Sequence, residues 1–250
     1  MPSIHIDEES DRVFARIERP ETRNAIDQEV VAELHRLCDS LERTPRILIL
    51  SGSLTGSSAV FASGADIGEL KERRAIDALA GINSGLFDRI SRLPLPTIAA
   101  IDGFALGGGA ELAMAADFRI ATPRARFGNP ETGLGIMAAA GGTWRLRNLI
   151  GEAIATEVLL AGRILDAREA LDLHLVTELH EPEDLMDAAS RLADRIATQD
   201  PVAVRVSKLV MRMPESAHPY VDNLAQAVLF ESEGKNVRMA EFLNRKRVAR

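Results

Sequence analysis

Pro96–Asp117 reads PTIAAIDGFALGGGAELAMAAD. A β-rich apolar run, Thr97 to Ile101, leads into three consecutive glycines, Gly107 to Gly109, and then into a helical run of small and apolar side chains. Glycine costs a helix roughly 1 kcal/mol relative to alanine, so three at a helix start need a reason. A ligand that touches bare backbone is one, because unpaired N–H groups at a helix N-terminus form an anion site. Glu111 falls in the first turn, among Ala110, Leu112, Ala113, Met114 and Ala115, all suited to burial. A carboxylate buried without a task is rare.

On the N-terminal side, Ile4–Ile6 and Val13–Arg19 read as strands joined by the polar turn DEESD. Pro20 stops the second strand, and Asn24 or Asp27 can cap a helix from about Gln28 to Glu42. Arg46–Ser51 (RILILS) is a short buried strand, Ser51 to Gly64 a Gly/Ser-rich loop, and Ala75 to Leu93 a helix ended by Pro94 and Pro96. After the glycine segment, Phe118–Ala121 is a further strand. The rhythm is strand, strand, helix rather than strict alternation. Beyond about residue 141, Ala153–Leu160, Ala167–Leu171, Leu185–Ala197, Val202–Met213 and Ala217–Phe230 suit helices, and only Val176–Leu179 is strand-like. Pro182, Pro201, Pro214 and Pro219 punctuate them. The pattern predicts an α/β fold with a core over residues 1–190 and a helical C-terminal region over 191–250. No repeat at a solenoid period is present.

Composition narrows the function classes. The 250 residues are 46% hydrophobic and 27% charged, enough for one full core or a core plus a small lobe. A net charge of -7 argues against a general nucleic-acid binder, while leaving room for a local basic pocket. The single cysteine, Cys38, permits no internal disulfide and no cysteine-rich metal site. Its setting, ELHRLCDSL, reads as an amphipathic helix with a packed thiol. The histidines (His5, His35, His174, His180, His218) lack ligand spacing, so no catalytic metal is expected. The first residues, MPSIHIDEESD, do not read as a signal or transit peptide. Asp102, Glu111 and Asp117 interrupt the most apolar stretch, so no membrane span is expected. A cytoplasmic enzyme is the expectation.

Four features carry chemistry: FASGAD (Phe61 to Asp66), the glycine helix start, Glu111, and FGNPETGLG (Phe127 to Gly135), in which Glu131 follows Pro130. Backbone N–H groups from two small-residue turns can point at one oxygen. Such donors stabilise an oxyanion by roughly 3 kcal/mol each. Two carboxylates beside it can divide acid and base work if their environments separate their pKa values. Each feature also has a bland reading. Glu111 also reads as a carboxylate favoured by the helix dipole, worth about 0.3–1 kcal/mol, and Pro-Glu at a helix start is common. The string Gly133 to Ala138 fits GxGxxA, but no strand precedes it, and the Gly/Ser loop lacks the Lys-Ser/Thr ending of a P-loop. The basic cluster Arg245, Lys246, Arg247 and Arg250 reads in part as a solvated helix C-terminus.

Together with RPETRNAI (Arg19–Ile26), AGGTWRL (Ala140–Leu146) and LLAGRILDAREALDLHLV (Leu159–Val176), these motifs make the chain resemble the crotonase superfamily, the enoyl-CoA hydratase/isomerase proteins, nearly end to end. The resemblance implies a β-β-α spiral core and a helical C-terminal region for oligomerisation and active-site cover. It implies assembly as a homotrimer or homohexamer. The ligand would be an acyl thioester of coenzyme A, with CoA part of the substrate and no separate cofactor or metal. Residue by residue, it puts oxyanion-hole donors on the backbone N–H groups of Ala65 and Gly108, and the two glutamates of family hydratases on Glu111 and Glu131. It puts CoA contacts at Asn24, Ala25, Ser63, Gly64, Asp66, Ile67 and Gly68, and at Phe242 and Arg245 in FLNRKR. The basic C-terminal cluster gains a second reading, binding of CoA phosphates.

The chain departs from the family pattern in three places. Met137 to Ala140 precede Gly141 where hydratases often read PGAGG, Trp144 is bulkier than the usual polar residue, and SEGKNVRMAEF lacks the usual Glu-Gly pair. These bear on acyl-chain preference and CoA-tail contacts. The implied reaction is hydration of a trans-2-enoyl-CoA to a 3-hydroxyacyl-CoA, as in fatty-acid β-oxidation, with Glu111 activating water and Glu131 supplying the α-proton. The alternatives are double-bond isomerisation, another acyl-CoA reaction such as decarboxylation or thioester hydrolysis, and a non-catalytic acyl-CoA-binding protein.

Overall fold

The computed structural model describes residues 2–53 and 59–248. Residues 54–58 of the expected Ser51–Gly64 loop, Arg250 of the basic cluster, and the side chains of Lys246 and Arg247 lie outside what is described. The chain divides into two compact units, Met1–Ala193 and Asp194–Arg250.

In the first unit, β1 (Ile4–Glu8) and β2 (Arg12–Ile17) pair antiparallel, with Ile4 opposite Ile17. α1 (Gln28–Arg43) begins at Asp27, whose side chain accepts from the Val30 N–H. This settles the choice of cap left open by the sequence. Val30, Val31, Leu34, Leu37, Cys38 and Leu41 form its buried stripe, the three-and-four spacing of an amphipathic helix. β3 (Ile47–Gly52) is buried at every position and lies parallel to β2, as expected of a strand covered on both faces. It is followed by β4 (Val60–Ala62), α2 (Ile67–Glu72), α3 (Ala75–Ala80) and α4 (Ile82–Ser91). Then come β5 (Thr97–Ile101), β6 (Phe104–Leu106) and α5 (Gly108–Ala115). β7 (Phe118–Ala121) and β8 (Arg126–Gly128) lead to a 3-10 turn at Pro130–Leu134 and to α6 (Gly142–Ile150). The unit closes with α7 (Glu152–Ala161), β9 (Leu165–Asp166), α8 (Ala167–Asp172), β10 (Glu178–Leu179) and most of α9 (Leu185–Ala197).

The strands sort into two sheets, ordered β1-β2-β3-β5-β7-β10 and β4-β6-β8-β9. Three times in succession (β3 and β4, β5 and β6, β7 and β8) the chain gives one strand to the large sheet, the next to the small sheet, and then turns into helix. This is the β-β-α winding of a crotonase-type α/β fold. The strand, strand, helix rhythm of the sequence is its linear trace.

The glycine turn sits where β6 meets α5, and its three residues have three separate reasons. Gly107 adopts φ +52, a left-handed value that a residue with Cβ resists. A methyl on Gly109 would fall 2.0 Å from the carbonyl oxygen of Ala62, so α5 is seated directly on β4. Gly108 has neither constraint, and close approach of a ligand, one reason the sequence offers for the run, is left to account for it.

Other boundaries differ from the sequence reading. The helix expected over Ala75 to Leu93 is two helices, broken at Gly81 with φ +66. α10 (Pro201–Val210) stops short of Met213, and α11 (Tyr220–Phe230) begins three residues after Ala217. Val176 does not join a strand, because its N–H caps α8 through the Ala170 carbonyl.

The second unit contains α10, α11 and α12 (Glu233–Val248). Arg238 ties α12 to the Thr198 carbonyl at 2.8 Å. Among its described side chains only Lys208 is buried, whereas Met211, Tyr220, Leu224 and Val228 are exposed. Among the described residues no helix is long and apolar enough to cross a membrane.

Candidate active site

A cavity of about 530 Å³ opens in the first unit. Its walls include Gly64 and Ala65 after β4, Gly107 and Gly108 at the start of α5, Glu111 one turn further on, and Glu131 on the 3-10 turn. All four expected chemical elements therefore face one space.

The two small-residue turns touch. A methyl on Gly108 would lie 3.4 Å from the Ala65 amide nitrogen, and one on Gly64 would lie 3.5 Å from the Gly108 nitrogen. Among the described residues neither the Ala65 nor the Gly108 N–H donates to another protein group. Two amides held this close and left unsatisfied are suited to receive one oxygen from a ligand.

Glu111 is 3% exposed. Its Oε1 accepts from the Ala140 N–H at 2.7 Å and the Gly142 N–H at 2.8 Å. Gly142 opens α6, so the carboxylate sits at a helix N-terminus, where the dipole favours negative charge. Glu131 is also buried. Its Oε1 accepts from Asn129 Nδ2 at 3.3 Å, and its Oε2 has no hydrogen-bond partner among the described residues. Asn129 Nδ2 also reaches the Gly107 carbonyl at 3.3 Å, joining this acid to the glycine turn.

Burial pushes the Glu111 carboxyl up to about 7, with the charge of Glu131 adding to the rise. The amides of Gly142 and Ala140 and the charge of Arg145 pull it back. Burial also raises Glu131, against its backbone hydrogen bond and that from Asn129. The negative charge of Glu131 discourages ionisation of Glu111, which can take up and release a proton near neutral pH.

The remaining expected contacts separate into two groups. Ser63, Gly64 and Ile67 line the cavity. Asn24, Ala25, Asp66 and Gly68 are not among its lining residues. Asn24 is fully buried, its Nδ2 donating to Ser53 Oγ at 3.1 Å and to the Val60 carbonyl at 2.6 Å, while its Oδ1 accepts from the Arg19 N–H. It fastens the Arg19–Ile26 segment to β4. The Ala25 carbonyl accepts from Arg19 Nη1. Asp66 caps α2 by accepting from the Glu69 N–H at 2.9 Å, and Gly68 lies in the turn that follows. Phe242 and Arg245 belong to α12 in the second unit, where Arg245 pairs with Glu241 at 3.7 Å.

Sequence reasoning missed Asn129, Arg145 and the amides of Ala140 and Gly142. A signal for Arg145 existed, a cation inside the otherwise apolar or small run AGGTWRL. The two amides had none, since any residue supplies an N–H. Among the described residues no three His, Cys, Asp or Glu side chains gather as a metal-binding group.

Unsatisfied paired amides beside two buried acids equip an enzyme that polarises a carbonyl and moves protons. The chain belongs to the Enoyl-CoA hydratase/isomerase family, which it matches over residues 11–241. It is 35% identical to the short-chain-enoyl-CoA hydratase of Clostridium acetobutylicum, over 92% of this chain and 87% of that protein. It is 37% identical to the crotonyl-CoA hydratase of Syntrophomonas wolfei, over 82% and 80%. The crystal structure of an enoyl-CoA hydratase subunit I from Geobacillus kaustophilus superimposes with a TM-score of 0.89 at 36% identity, covering 97% of this chain and 95% of that one.

Proposed function

We propose that this protein is an enoyl-CoA hydratase, adding water across the double bond of a trans-2-enoyl-CoA to give a 3-hydroxyacyl-CoA. One observation carries the reading: two unsatisfied amides and two buried carboxyls face the same cavity. Relatives named as hydratases of short-chain enoyl-CoA and crotonyl-CoA support it.

In this mechanism the thioester oxygen accepts from the N–H groups of Ala65 and Gly108. That polarisation makes the β-carbon electrophilic and stabilises the enolate charge that develops as it is attacked. Water sits between the two acids. In its ionised form Glu111, whose charge the two amides partly stabilise against the burial that raises its pKa, takes a proton from it as the oxygen bonds to the β-carbon. Glu131 gives the proton on its otherwise unpartnered Oε2 to the α-carbon. The pair then exchanges one proton to restore the starting state, and the net change is addition of one water.

Glu111→Gln and Glu131→Gln, assayed with crotonyl-CoA, test these roles. The expected loss in each is about 10²–10⁴-fold. Rates within a few-fold of wild type in both would overturn it. Isomerisation of a 3-enoyl-CoA needs one base and no water, so the second acid favours hydration. Mass analysis for added oxygen separates the two.

Assembly as a homotrimer or homohexamer belongs to the same proposal. It is supported by a helical unit whose large apolar side chains are exposed, a surface that partners commonly cover. Light scattering of the purified protein tests it. A cytoplasmic location completes the proposal, and cell fractionation tests that.

A further inference from the structure

We propose that Arg145 is a positioning residue for the hydration step: it holds the turn from Ala140 to Gly142 whose two amides aim Glu111. The inference rests on the hydratase reading above and adds a residue to it. Arg145 lies on α6 and is 6% exposed. Its Nη1 donates to the Ala140 carbonyl at 3.0 Å, and its own N–H donates to the Gly141 carbonyl at 2.8 Å. On the other side of the same turn, the N–H groups of Ala140 and Gly142 both donate to Glu111 Oε1. The turn therefore has its carbonyls held by Arg145 and its amides held by Glu111.

The fit leaves no slack. Gly141 has φ +117, and a methyl on it would fall 2.0 Å from Arg145 Nη1. The guanidinium lies with its Cζ 4.3 Å from the centre of the Trp144 ring and its Nη2 4.0 Å from Asp88 on α4. A planar fork packed on one face suits arginine and not lysine. The position also has an electrostatic consequence. The charged groups acting on Glu111 are Glu131 from the 3-10 turn, which raises its pKa, and Arg145 from α6, which lowers it. Arg145 thus holds the turn that directs Glu111 and adds a pull toward its ionised form that is smaller than the effects of burial, the two amides and the Glu131 charge.

The test is the pH–rate profile of Arg145→Gln and Arg145→Lys with crotonyl-CoA, alongside thermal melts. In Arg145→Gln, kcat is expected to fall about 10²-fold, as for a misaligned catalytic group, and the acid limb to move to higher pH. The KM for crotonyl-CoA should stay within about twofold, since a loss confined to the transition state leaves ground-state binding intact. Arg145→Lys keeps the charge and should return the acid limb toward its wild-type pH while leaving kcat depressed. An unshifted acid limb in Arg145→Gln, with activity tracking only the folded fraction, would overturn the proposal. Should Arg145→Gln not fold, Arg145→Lys decides by itself: wild-type kcat would overturn the claim, and a lowered kcat at unchanged KM would sustain it. Wild-type protein that hydrates no enoyl-CoA would instead defeat the underlying hydratase reading.

Discussion

Gly108 faces Ala65 across a gap that a methyl would close, its added carbon lying 3.4 Å from the Ala65 nitrogen. That distance is ordinary van der Waals contact, so Gly108→Ala should fold. The methyl would nevertheless occupy ground between the two amides that are proposed to receive the thioester oxygen. Loss of one such donor costs about 10²–10³-fold in kcat. Gly108→Ala is therefore expected to lose turnover on crotonyl-CoA by that order while its melting temperature stays close to wild type. Steady-state kinetics beside a melt checks both halves, and full activity would remove these amides from the mechanism.

Asn24 gives the opposite signature. Its side chain spans the Arg19 amide, Ser53 Oγ and the Val60 carbonyl inside the core. Removing it leaves buried groups unpaired, at about 1–3 kcal/mol each. Asn24→Ala is expected to lower the urea midpoint clearly while leaving the KM for crotonyl-CoA unchanged. A raised KM with unchanged stability would restore the CoA-contact reading.

That contrast shows what the sequence made legible. Thr97–Ile101, the glycine turn and the α1 stripe were readable because each is a local pattern whose period or composition identifies it. β6 and β8 span three residues each, too short for a period of two to declare itself, so the small sheet was invisible as a sheet. Glu111 and Glu131 could be named from their settings and from the family resemblance, but nothing local set them at one cavity. The winding of α5 and the 3-10 turn did that. Asn24 shows a related gap: a motif marks a position that matters, and motif matching does not tell a core latch from a ligand contact.

Gly109 tests the packing that underlies the site. With Ala62 O only 2.0 Å from an added methyl, Gly109→Ala must push α5 off β4. Overpacking of this kind costs about 1–3 kcal/mol. Because α5 also carries Gly108 and Glu111, activity should fall further than the folded fraction explains. Comparing the unfolding midpoint with the specific activity of the folded protein checks this, and a variant as stable as wild type would show that α5 has room to move.

The last prediction concerns pH. The Glu111 carboxyl rises from an ordinary 4.5 to about 7 on folding, so between those values the folded protein binds more protons than the unfolded chain. Stability due to this group is then greatest below pH 4.5, falls as pH rises toward 7, and is level above it. The full fall is about 3 kcal/mol at 1.36 kcal/mol per pH unit. Glu111→Gln cannot ionise and loses this slope, while keeping an oxygen for the Ala140 and Gly142 amides. Urea unfolding at pH 5, 6, 7 and 8, at fixed protein concentration, should show the variant gaining on wild type as pH rises. The slope due to Glu131 should persist in both proteins. Parallel curves across that range would mean that Glu111 is already ionised well below neutrality, and the acid limb of the wild-type rate profile should then lie equally low.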